Sequence, residues 1–522
     1  HQYEGHYLYL TSGTNRGKYY LIVDSSNGTP DTISLNVNAT TGFTAGDGFT
    51  VMDRVYTKTG SVANSANLYL TKDGTATSPI TWNTSGTVIV DAENLRSAGF
   101  SFGIAYYLII DGFIMEKATN YGFYIDTGTG GVVSNNTFAF NNNGALLPSV
   151  TIFRGNTSFR NTAYGIYLSN GASAFDNISF LNGDAGIRLY ASNNFVQGNK
   201  AYANSSAGIR EEYSNYDTII GNISYRNSAT GIYSNPGDYS KIYNNTIVAN
   251  STDGIYLGNT SNDNVIRNNI LKDNTQEGID DDDTNTKSNS VCHQNGSGDT
   301  SSHCLNQAST NPSFYFEISA TNVTTGTTAY VDLTGTQAWT ANAYIGYGLT
   351  FVDGSGTCDS DVKDKWYGIT SNSAENLFYA PTPADASTIT NCAAKLTNFH
   401  LSEDSPALAA GADLVSGSQP ATPQINIGAK LGYITNGASK YNFLQQAEDD
   451  DAYSAGDTIN IYGYEYIASG TVGSTLTDNG SYITIDVDDN ALTASNQHEG
   501  MYMFMTAGTN SGKYYLIIDS AE

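Results

Sequence analysis

Charged residues are scarce in this chain, at 14% of 522 positions, and positive charge is scarcest, with 23 Lys and Arg against 50 Asp and Glu. The formal net charge of −27 leaves little basic surface to neutralise phosphates, which excludes nucleic acid as an expected partner. No run of about 18 apolar residues occurs, so the sequence predicts no transmembrane helix and no membrane insertion. Few lysines and few helix formers, beside abundant Tyr and Gly, favour a mainly β protein with an extracellular or cell-surface location.

Cysteine is also scarce. The four cysteines fall into two local pairs, Cys292 with Cys304 and Cys358 with Cys392. Two disulfides in an oxidising compartment are the natural interpretation. The alternative is a zinc site at the first pair, aided by His293 and His303, although it lacks a C-x-x-C knuckle. No signal peptide is found and the chain starts at His1, so we expect a processed product or a window of a longer protein.

What the chain has in abundance is a repeat of paired asparagines. The spacing within a pair is five residues, and the step between pairs is 20 to 24 residues. The first members, predicted to form a structural ladder, are Asn136, Asn156, Asn177, Asn199, Asn222, Asn245 and Asn269. The second members are Asn141, Asn161, Asn182, Asn204, Asn227, Asn250 and Asn274. A glycine follows each second member, from Gly144 to Gly278, in the motif N-x-φ-x-x-N-x-x-x-G-I-x-φ, where φ is mostly apolar.

Repeats this short leave no room for a crossover helix, so the pattern predicts a solenoid of stacked parallel strands. The apolar residues after each glycine then stack as one interior column. The asparagines are expected to hydrogen-bond from coil to coil and to turn backbone, which satisfies polar groups inside the solenoid. Each glycine is expected at a sharp bend between strands.

This repeat resembles the right-handed parallel β-helix of the pectate-lyase-like superfamily. The likeness extends to TAGDGFTVMDRVYT, DGTATSPITW and YYLIIDGFIMEKATNYGFYI upstream, and to NPSFYF and NFHLSEDSPALAAGADL…INIGAKLGY downstream, over about residues 45–435. It implies an all-β fold: a β-helix of about ten coils, small β-sandwich or barrel-like modules at both ends, and one module inserted near the C-terminal side. The fold alone implies no function, because it carries lyases, hydrolases, adhesins and structural fibres.

The two ends of the chain share a second repeat. Residues 4–25 match residues 499–520 at 15 of 22 positions, and a weaker third copy lies at 344–372. Alternating apolar residues around a Gly-rich turn predict a β-hairpin in each copy. We therefore predict four regions: 1–56, the trailing part of a β-module; 57–310, the β-helix; 311–440, its closing region with a module inserted at about 340–395; and 441–522, the leading part of a β-module.

The end repeat leads to the main functional prediction. Each end alone leaves a β-module with open edges. Either the chain is one period of a tandem protein, or copies of it join head to tail by strand addition into a filament or ring; modules that only cap a monomer are the third possibility. We predict an extracellular structural protein of a repeating fibre or surface layer. The alternatives are a polysaccharide-binding or polysaccharide-degrading β-helix protein, and a phage tailspike or adhesin.

Outward residues of the solenoid supply a candidate ligand site, since the residue two after each glycine is expected to point outwards. The candidates are Tyr167, Arg188, Arg210, Glu212, Tyr233 and Tyr256. Tyrosines can stack on sugar rings. The resemblance places the site of many lyases on such a sheet, and the charged residues formally suit a Ca²⁺-assisted lyase or a glycoside hydrolase. Sheet stabilisation by tyrosine stacking is the simpler interpretation, so no residue is assigned as catalytic.

Two further sets of side chains are candidates for binding or modification. An acidic run that suits Ca²⁺, or is simply a solvated loop, comprises Asp280, Asp281, Asp282 and Asp283. Sequons for N-glycosylation outside the ladder lie at Asn27, Asn38, Asn83, Asn295, Asn322 and Asn479. No other cofactor is predicted.

Overall fold

The structure is a computed structural model. It describes residues 7–12, 19–26, 32–35, 48–52, 56–57, 68–69, 73–76, 78–148, 151–258, 260–281, 285–296, 304–305, 311–314, 316, 318–326, 330–333, 339–358, 360–373, 376–381, 389, 391–399, 401, 434–436, 439–441, 472–478, 483–487, 502–504 and 514–516. Within these residues every regular element is a β-strand, and no helix is long and apolar enough to cross a membrane. The chain forms two compact units, His1–Lys440 and Tyr441–Glu522.

Three stacks of short parallel strands build the solenoid of the first unit. Sheet 1 contains Leu68–Tyr69, Ala98–Tyr106, Tyr121–Thr129, Asn143–Leu147, Ile166–Ser169, Ile187–Tyr190, Ile209–Glu212, Ile232–Ser234, Ile255–Leu257 and Ile279–Asp281. Sheet 2 contains Gly131–Ser134, Thr151–Arg154, Ser173–Phe175, Phe195–Gln197, Thr218–Ile220, Lys241–Tyr243, Val265–Arg267 and Thr286–Ser288. Sheet 3 contains Thr137–Ala139, Thr157–Phe159, Ile178–Phe180, Lys200–Tyr202, Ile223–Tyr225, Thr246–Val248, Ile270–Lys272, Ser290–His293 and Cys304–Leu305. Before the coils become regular, Tyr56–Thr57 pairs with the long strand Ile80–Asp91, and the long strand Leu108–Glu116 pairs with the first strands of both sheet 2 and sheet 3.

The interior of the solenoid is an apolar stack, because strand alternation turns every second side chain inwards. The isoleucine after each repeat glycine pairs in parallel register with its equivalent in the next coil. These residues are at most 1% exposed: Ile166, Ile187, Ile209, Ile232, Ile255 and Ile279. The predicted all-β solenoid is therefore confirmed.

Both asparagine columns form hydrogen-bonded ladders at the interior corners. Asn199 Oδ1, for example, accepts from the backbone N of Asn177 at 2.9 Å and from its Nδ2 at 2.8 Å, while Asn177 Nδ2 also donates to Phe153 O at 2.8 Å. Each amide thus joins the coil before it to the coil after it. Such pairing offsets the cost of burying polar groups, which is about 1–3 kcal/mol for each one left unpaired.

Repeat glycines lie at bends directly before strands of sheet 1, as expected, at Gly165, Gly186, Gly208, Gly231, Gly254 and Gly278. Left-handed backbone belongs instead to the residue before each ladder asparagine, such as Asp176 with φ of 58° and Leu181 with φ of 55°. The glycines are also required for close approach between coils. A Cβ on Gly165 would lie 2.1 Å from Ser179 Oγ and 2.6 Å from the carbonyl oxygen of the next repeat glycine, Gly186.

A closed antiparallel barrel of six strands follows the solenoid. Its strands, in order around the barrel, are Ile318–Gly326, Tyr330–Leu333, Asn376–Ala380, Trp366–Asn372, Gly348–Asp353 and Cys392–Thr397. The barrel packs on the outward face of sheet 3. Tyr202 Oη donates to Ile369 O at 2.6 Å, and Tyr225 Oη donates to Tyr347 O at 3.1 Å. The outward tyrosines of sheet 3 therefore pack against the barrel.

The repeated hairpin is present in both units. In the first unit a four-stranded antiparallel sheet has the order Thr32–Leu35, Tyr19–Ser26, Tyr7–Leu10 and Phe49–Met52. Its central hairpin pairs Tyr7 with Leu21. In the second unit the hairpin of Tyr502–Phe504 and Tyr514–Leu516 pairs Tyr502 with Leu516, which is the same register. The other described hairpin of that unit joins Val472–Asp478 to Ile483–Val487. Ile434–Asn436 and Ser439–Tyr441 form a separate two-stranded sheet.

Candidate functional site

The outward face of sheet 1 gathers the predicted ligand-site residues. Register pairs align Tyr167, Arg188, Arg210, Tyr233 and Tyr256 in one column across five strands. In each of these strands the column residue lies between two buried residues and is itself partly exposed. Strand alternation therefore turns the column outwards. Over four steps of about 4.8 Å the column spans about 19 Å.

Arg188 is enclosed by three tyrosine rings. Its Cζ lies 4.7 Å from the ring centre of Tyr164, 4.8 Å from that of Tyr167 and 5.2 Å from that of Tyr190. These distances suit cation–π attraction, which acts within about 6 Å of a ring centre. Only 17% of the Arg188 side chain is exposed. The guanidinium is therefore a fixed part of an aromatic surface.

Glu212 bridges the two arginines of the column. Its Oε2 lies 3.0 Å from Arg188 Nη2, and its Oε1 lies 3.3 Å from Arg210 Nη2. Arg210 Nη1 in turn lies 3.2 Å from Asp184 Oδ1. Burial lowers the pKa of Arg210, but Glu212 and Asp184 outweigh burial and the net pKa is raised. Two cations and two anions thus form one connected network with no net charge.

Exposed tyrosines that sequence reasoning missed extend this surface. Tyr190 is 38% exposed and Tyr213 is 64% exposed, with ring centres 6.3 Å apart. Tyr190 also meets Tyr167 edge to face, at 6.0 Å and 83°. Both exposed rings lie four or five residues after a repeat glycine, where the repeat no longer dictates the residue type.

Two stacked tyrosine pairs lie along the same coils. Tyr233 and Tyr256 stack at 5.2 Å and 15°, and Arg210 Cζ lies 5.3 Å from the ring centre of Tyr233. In the turn after sheet 1, the rings of Tyr216 and Tyr239 stack with their centres 5.0 Å apart and their planes 9° apart. Tyr216 is 56% exposed and Tyr239 is 47% exposed. In both pairs the two rings come from successive coils, so the stacking also stabilises the contact between coils.

A polar pair of carboxyls lies in the interior behind the same strand. Glu211, between Arg210 and Glu212 in the chain, occupies the inward position that Leu189 fills in the preceding coil. Glu211 and Asp217 are both 0% exposed. Burial raises the pKa of Glu211 well above its usual range, and the charge of Asp217 raises it further. Burial likewise raises the pKa of Asp217, to about 7.

Asp217 belongs to a third interior column that the sequence did not reveal, because its residue type changes from coil to coil. Asn194 N donates to Asp217 Oδ1 at 2.7 Å, and Asp217 N donates to Ser240 Oγ at 3.0 Å. Ser240 Oγ also donates to Glu211 Oε1. The column members are Asn194, Asp217, Ser240, Asn264 and Asn285.

The predicted calcium run is only partly within the described residues, since Asp282 and Asp283 lie outside them. Asp281 is 0% exposed at its side chain, forms an ion pair with Lys287, and accepts from Asn285 Nδ2 at 2.8 Å. Asp280 continues the outward column next to Tyr256. Across the part of the chain that the structure describes, no three His, Cys, Asp or Glu residues are grouped to hold a metal. Calcium binding stays a prediction.

A disulfide joins Cys358 to Cys392 at the edge of the barrel, with Cα atoms 4.6 Å apart. Cys292 is also disulfide-bonded, so the zinc alternative is wrong for it. The backbone of Cys304 pairs with Ser290 of the neighbouring strand, and its side chain lies outside the described ones. Disulfides of this kind indicate an oxidising compartment.

The predicted glycosylation sites differ in environment. Asn83 and Asn322 are exposed on strands. Asn295 extends the second ladder, because its Oδ1 accepts from Asn274 Nδ2 at 2.9 Å and its Nδ2 donates to Leu271 O at 3.0 Å. An amide nitrogen engaged in this way is a poor glycan acceptor. The remaining sequons, Asn27, Asn38 and Asn479, lie outside the described residues.

Comparison with known proteins adds to this picture. A family described as "Right handed beta helix region" matches residues 164–318. The solenoid of this chain is a right-handed parallel β-helix. No curated protein matches it. Among solved structures, pectate lyase Pel9A is similar with a TM-score of 0.44 and 16% identity, over 73% of this chain and 86% of that chain.

Other solved structures are similar over shorter stretches. The A-module of the Azotobacter vinelandii mannuronan C-5 epimerase AlgE6 has a TM-score of 0.31 and 16% identity, over 44% of this chain and 84% of that one. The PL6 family alginate lyase AlyGC has a TM-score of 0.28 and 12% identity, over 51% of this chain and 50% of that one. At these identities no residue role passes from those proteins to this chain.

Proposed function

We propose that this protein binds polysaccharide along the outward face of sheet 1. The observation that carries the proposal is a row of exposed or partly exposed tyrosines, Tyr167, Tyr190 and Tyr213, packed edge to face in sequence. The fixed guanidinium of Arg188 lies against the rings of Tyr167 and Tyr190. Aromatic rings of this kind offer apolar area with a fixed orientation, which suits stacking against the apolar face of a sugar ring. Of the functions predicted from the sequence, glycan binding is better supported than a fibre.

The charged network beside the rings supplies the polar half of recognition. A sugar hydroxyl both donates and accepts a hydrogen bond. Arg188 and Arg210 can only donate, and ionised Glu212 and Asp184 can only accept. Their ion pairs therefore place donors and acceptors next to one another, along a face that is about 19 Å long. An extended chain of sugar units matches such a surface better than a compact small molecule does.

The test is affinity electrophoresis against a panel of soluble polysaccharides. For a polymer that retards the wild type, the double variant Tyr190→Ala/Tyr213→Ala is expected to bind about tenfold more weakly, since each lost stack removes about 0.5–1.5 kcal/mol. Tyr106→Ala is the matched control, because Tyr106 is 42% exposed and lies outside the Arg–Glu network. Binding that is absent across the panel, or equal in the double variant and the wild type, would contradict the proposal.

Turnover can be followed in the same samples. A lyase would release unsaturated products and a glycoside hydrolase would release reducing ends. Activity that disappears in Arg210→Ala but persists in Tyr106→Ala would extend the proposal from binding to catalysis at this face. Stable binding without product would leave it as a binding protein.

Head-to-tail assembly is a second candidate function, favoured by the identical register of the two hairpins, Tyr7 with Leu21 and Tyr502 with Leu516. Equal hairpins can exchange partner strands between copies at little cost. Electron microscopy of the native protein should then show filaments or rings, and deletion of residues 499–520 should abolish them. A strictly monomeric protein at all concentrations would contradict this second function.

A further inference from the structure

The charge balance of the sheet-1 face carries information about its ligand. Arg188 and Arg210 are the two cations of the network, and Glu212 and Asp184 are its two anions. Both oxygens of Glu212 are engaged, one on each arginine. Arg188 is in addition covered by tyrosine rings, with only 17% of its side chain exposed. The charge of each guanidinium is therefore already balanced by a carboxylate of the protein.

We propose that this face selects uncharged polysaccharides over polyanionic ones, and that Glu212 sets the selectivity. The inference rests on the proposed function and deepens it by naming the class of ligand. A uronate or sulfate group approaching Arg210 would meet the carboxylates of Asp184 and Glu212, which already lie 3.2–3.3 Å from the guanidinium. Like charges at such short range repel each other, so binding of the anion is disfavoured.

The long-range field acts in the same direction. The chain has a formal net charge of −27, so a polyanion is repelled on approach, whereas a neutral chain is not. A neutral sugar instead finds arginine donors and carboxylate acceptors already oriented by each other. The ion pairs need not break for its hydroxyl groups to bind, because each guanidinium has five N–H donors and each carboxylate has several lone pairs.

The experiment compares two neutral polymers, galactomannan and hydroxyethyl cellulose, with two polyuronates, polygalacturonate and alginate, at low and high salt. Glu212→Gln removes the anion that the two arginines share, so the network gains a net charge of +1, while Asp184 still pairs with Arg210. We expect its affinity for a polyuronate to rise at least about tenfold at low salt, and this gain to disappear at high salt. Affinity for a neutral polymer should change by less than about threefold.

Two further variants make the test decisive. Asp184→Asn removes the same charge from the other side of Arg210 and should give the same gain in polyuronate binding, so the outcome does not depend on the folding of one variant. Asp176→Asn is the matched control: Asp176 pairs with Arg154 at 3.6 Å, is 33% exposed against 30% for Asp184, and follows sheet 2. It should bind every polymer as the wild type does.

The possible results distinguish the proposed selectivity from the proposed polysaccharide binding on which it rests. Wild-type protein that prefers polyuronates, or Glu212→Gln and Asp184→Asn variants without a gain, would overturn the selectivity while leaving tyrosine-dependent glycan binding intact. Binding of no polymer by wild type or variants would overturn the proposed function itself. Preference for a neutral polymer, reversed by either charge-removing variant, supports both.

Discussion

Glu211 and Asp217 lie side by side in the closed interior of the solenoid, where both residues are 0% exposed. The hydroxyl of Ser240 donates to Glu211, and the hydroxyl of Ser214 donates to Asp217 at 2.5 Å. Two ionised carboxylates in such a place would be strongly unfavourable, so at least one of them holds a proton near neutral pH. A stability that depends on pH follows from this pair.

Raising the pH is expected to destabilise the solenoid through this pair. The folded pKa of Asp217 is raised from 3.8 to about 7 and that of Glu211 is raised too, so the folded state binds more protons than the unfolded state between those values. Their stabilising effect is therefore complete below about pH 4 and is lost as pH rises through about 7. Asp217→Asn should make the stability less dependent on pH, because one of the two groups that take up a proton in the folded state is removed. The check is a set of melting curves between pH 4 and pH 9, and an equal pH slope in variant and wild type would contradict it.

Removing one rung of the first ladder should be costly. In Asn199→Ala, the backbone N and Nδ2 of Asn177 lose their acceptor, and Ala174 O loses its donor at 2.9 Å. With about 1–3 kcal/mol for each buried polar group left unpaired, we expect a loss of roughly 3–5 kcal/mol in chemical denaturation. Asn83→Ala, at an exposed asparagine, should change stability by less than about 0.5 kcal/mol.

The repeat glycines should not tolerate a methyl group. A Cβ at Gly186 would lie 2.7 Å from Asn204 Nδ2 and 2.8 Å from Gly208 O, so Gly186→Ala must push coils apart. We expect a loss of about 2–3 kcal/mol, in the range known for overpacked interiors. Gly131→Ala is the control, since its nearest contact would be 3.6 Å. Equal melting temperatures for the two variants would show that close approach is not the reason for the repeat glycine.

The disulfide should stabilise the barrel specifically. Cys358 and Cys392 are 34 residues apart, and closing a loop of this length stabilises a fold by about 3–4 kcal/mol in the chain-entropy account. The double variant Cys358→Ser/Cys392→Ser should therefore expose barrel amides to hydrogen exchange, such as those of Phe351 and Ala394, which pair across two strands. Solenoid amides such as that of Ile209 should keep their protection. An equal loss of hydrogen-exchange protection in the barrel and the solenoid would show that the disulfide does not stabilise the barrel alone.

The sequence predicted the structural features that repeat from coil to coil and did not predict those that occur once. Asn177 and Asn199 could be assigned to a ladder because each coil must present the same amide to the next. The bend at Gly165 was predicted, but its close approach to Gly186 was not, because a close approach between coils has the same sequence signature as a bend. A barrel-like module near the C-terminal side was predicted and is confirmed. Its closure was not, because it depends on pairing between Ile318–Gly326 and Cys392–Thr397, whose separation along the chain leaves no periodic signal.

The candidate site was predictable only in part. Alternation after the glycine identified Arg188 and Arg210 as outward residues. The cluster around Arg188 combines Tyr190 of the same strand with Tyr164 and Tyr167 of the preceding coil, and contacts between coils cannot be read from the local sequence. Glu211 looked like one more charged residue in an IREE strand, and only the three-dimensional register shows that it replaces an interior leucine.

The asparagine ladders also determine how this protein can change length. The Asn177 side chain bonds to Asn156 and Phe153 in the coil before it and to Asn199 in the coil after it, so no rung depends on its absolute position in the series. Duplicating residues 157–177 would therefore insert one coil, lengthen the solenoid by about 4.8 Å and leave every other rung with a partner of the same kind. The same insertion would add another Tyr164 and Tyr167 to the outer face. The length of the solenoid and the area of its outer face that can contact a ligand would thus increase together, one coil at a time.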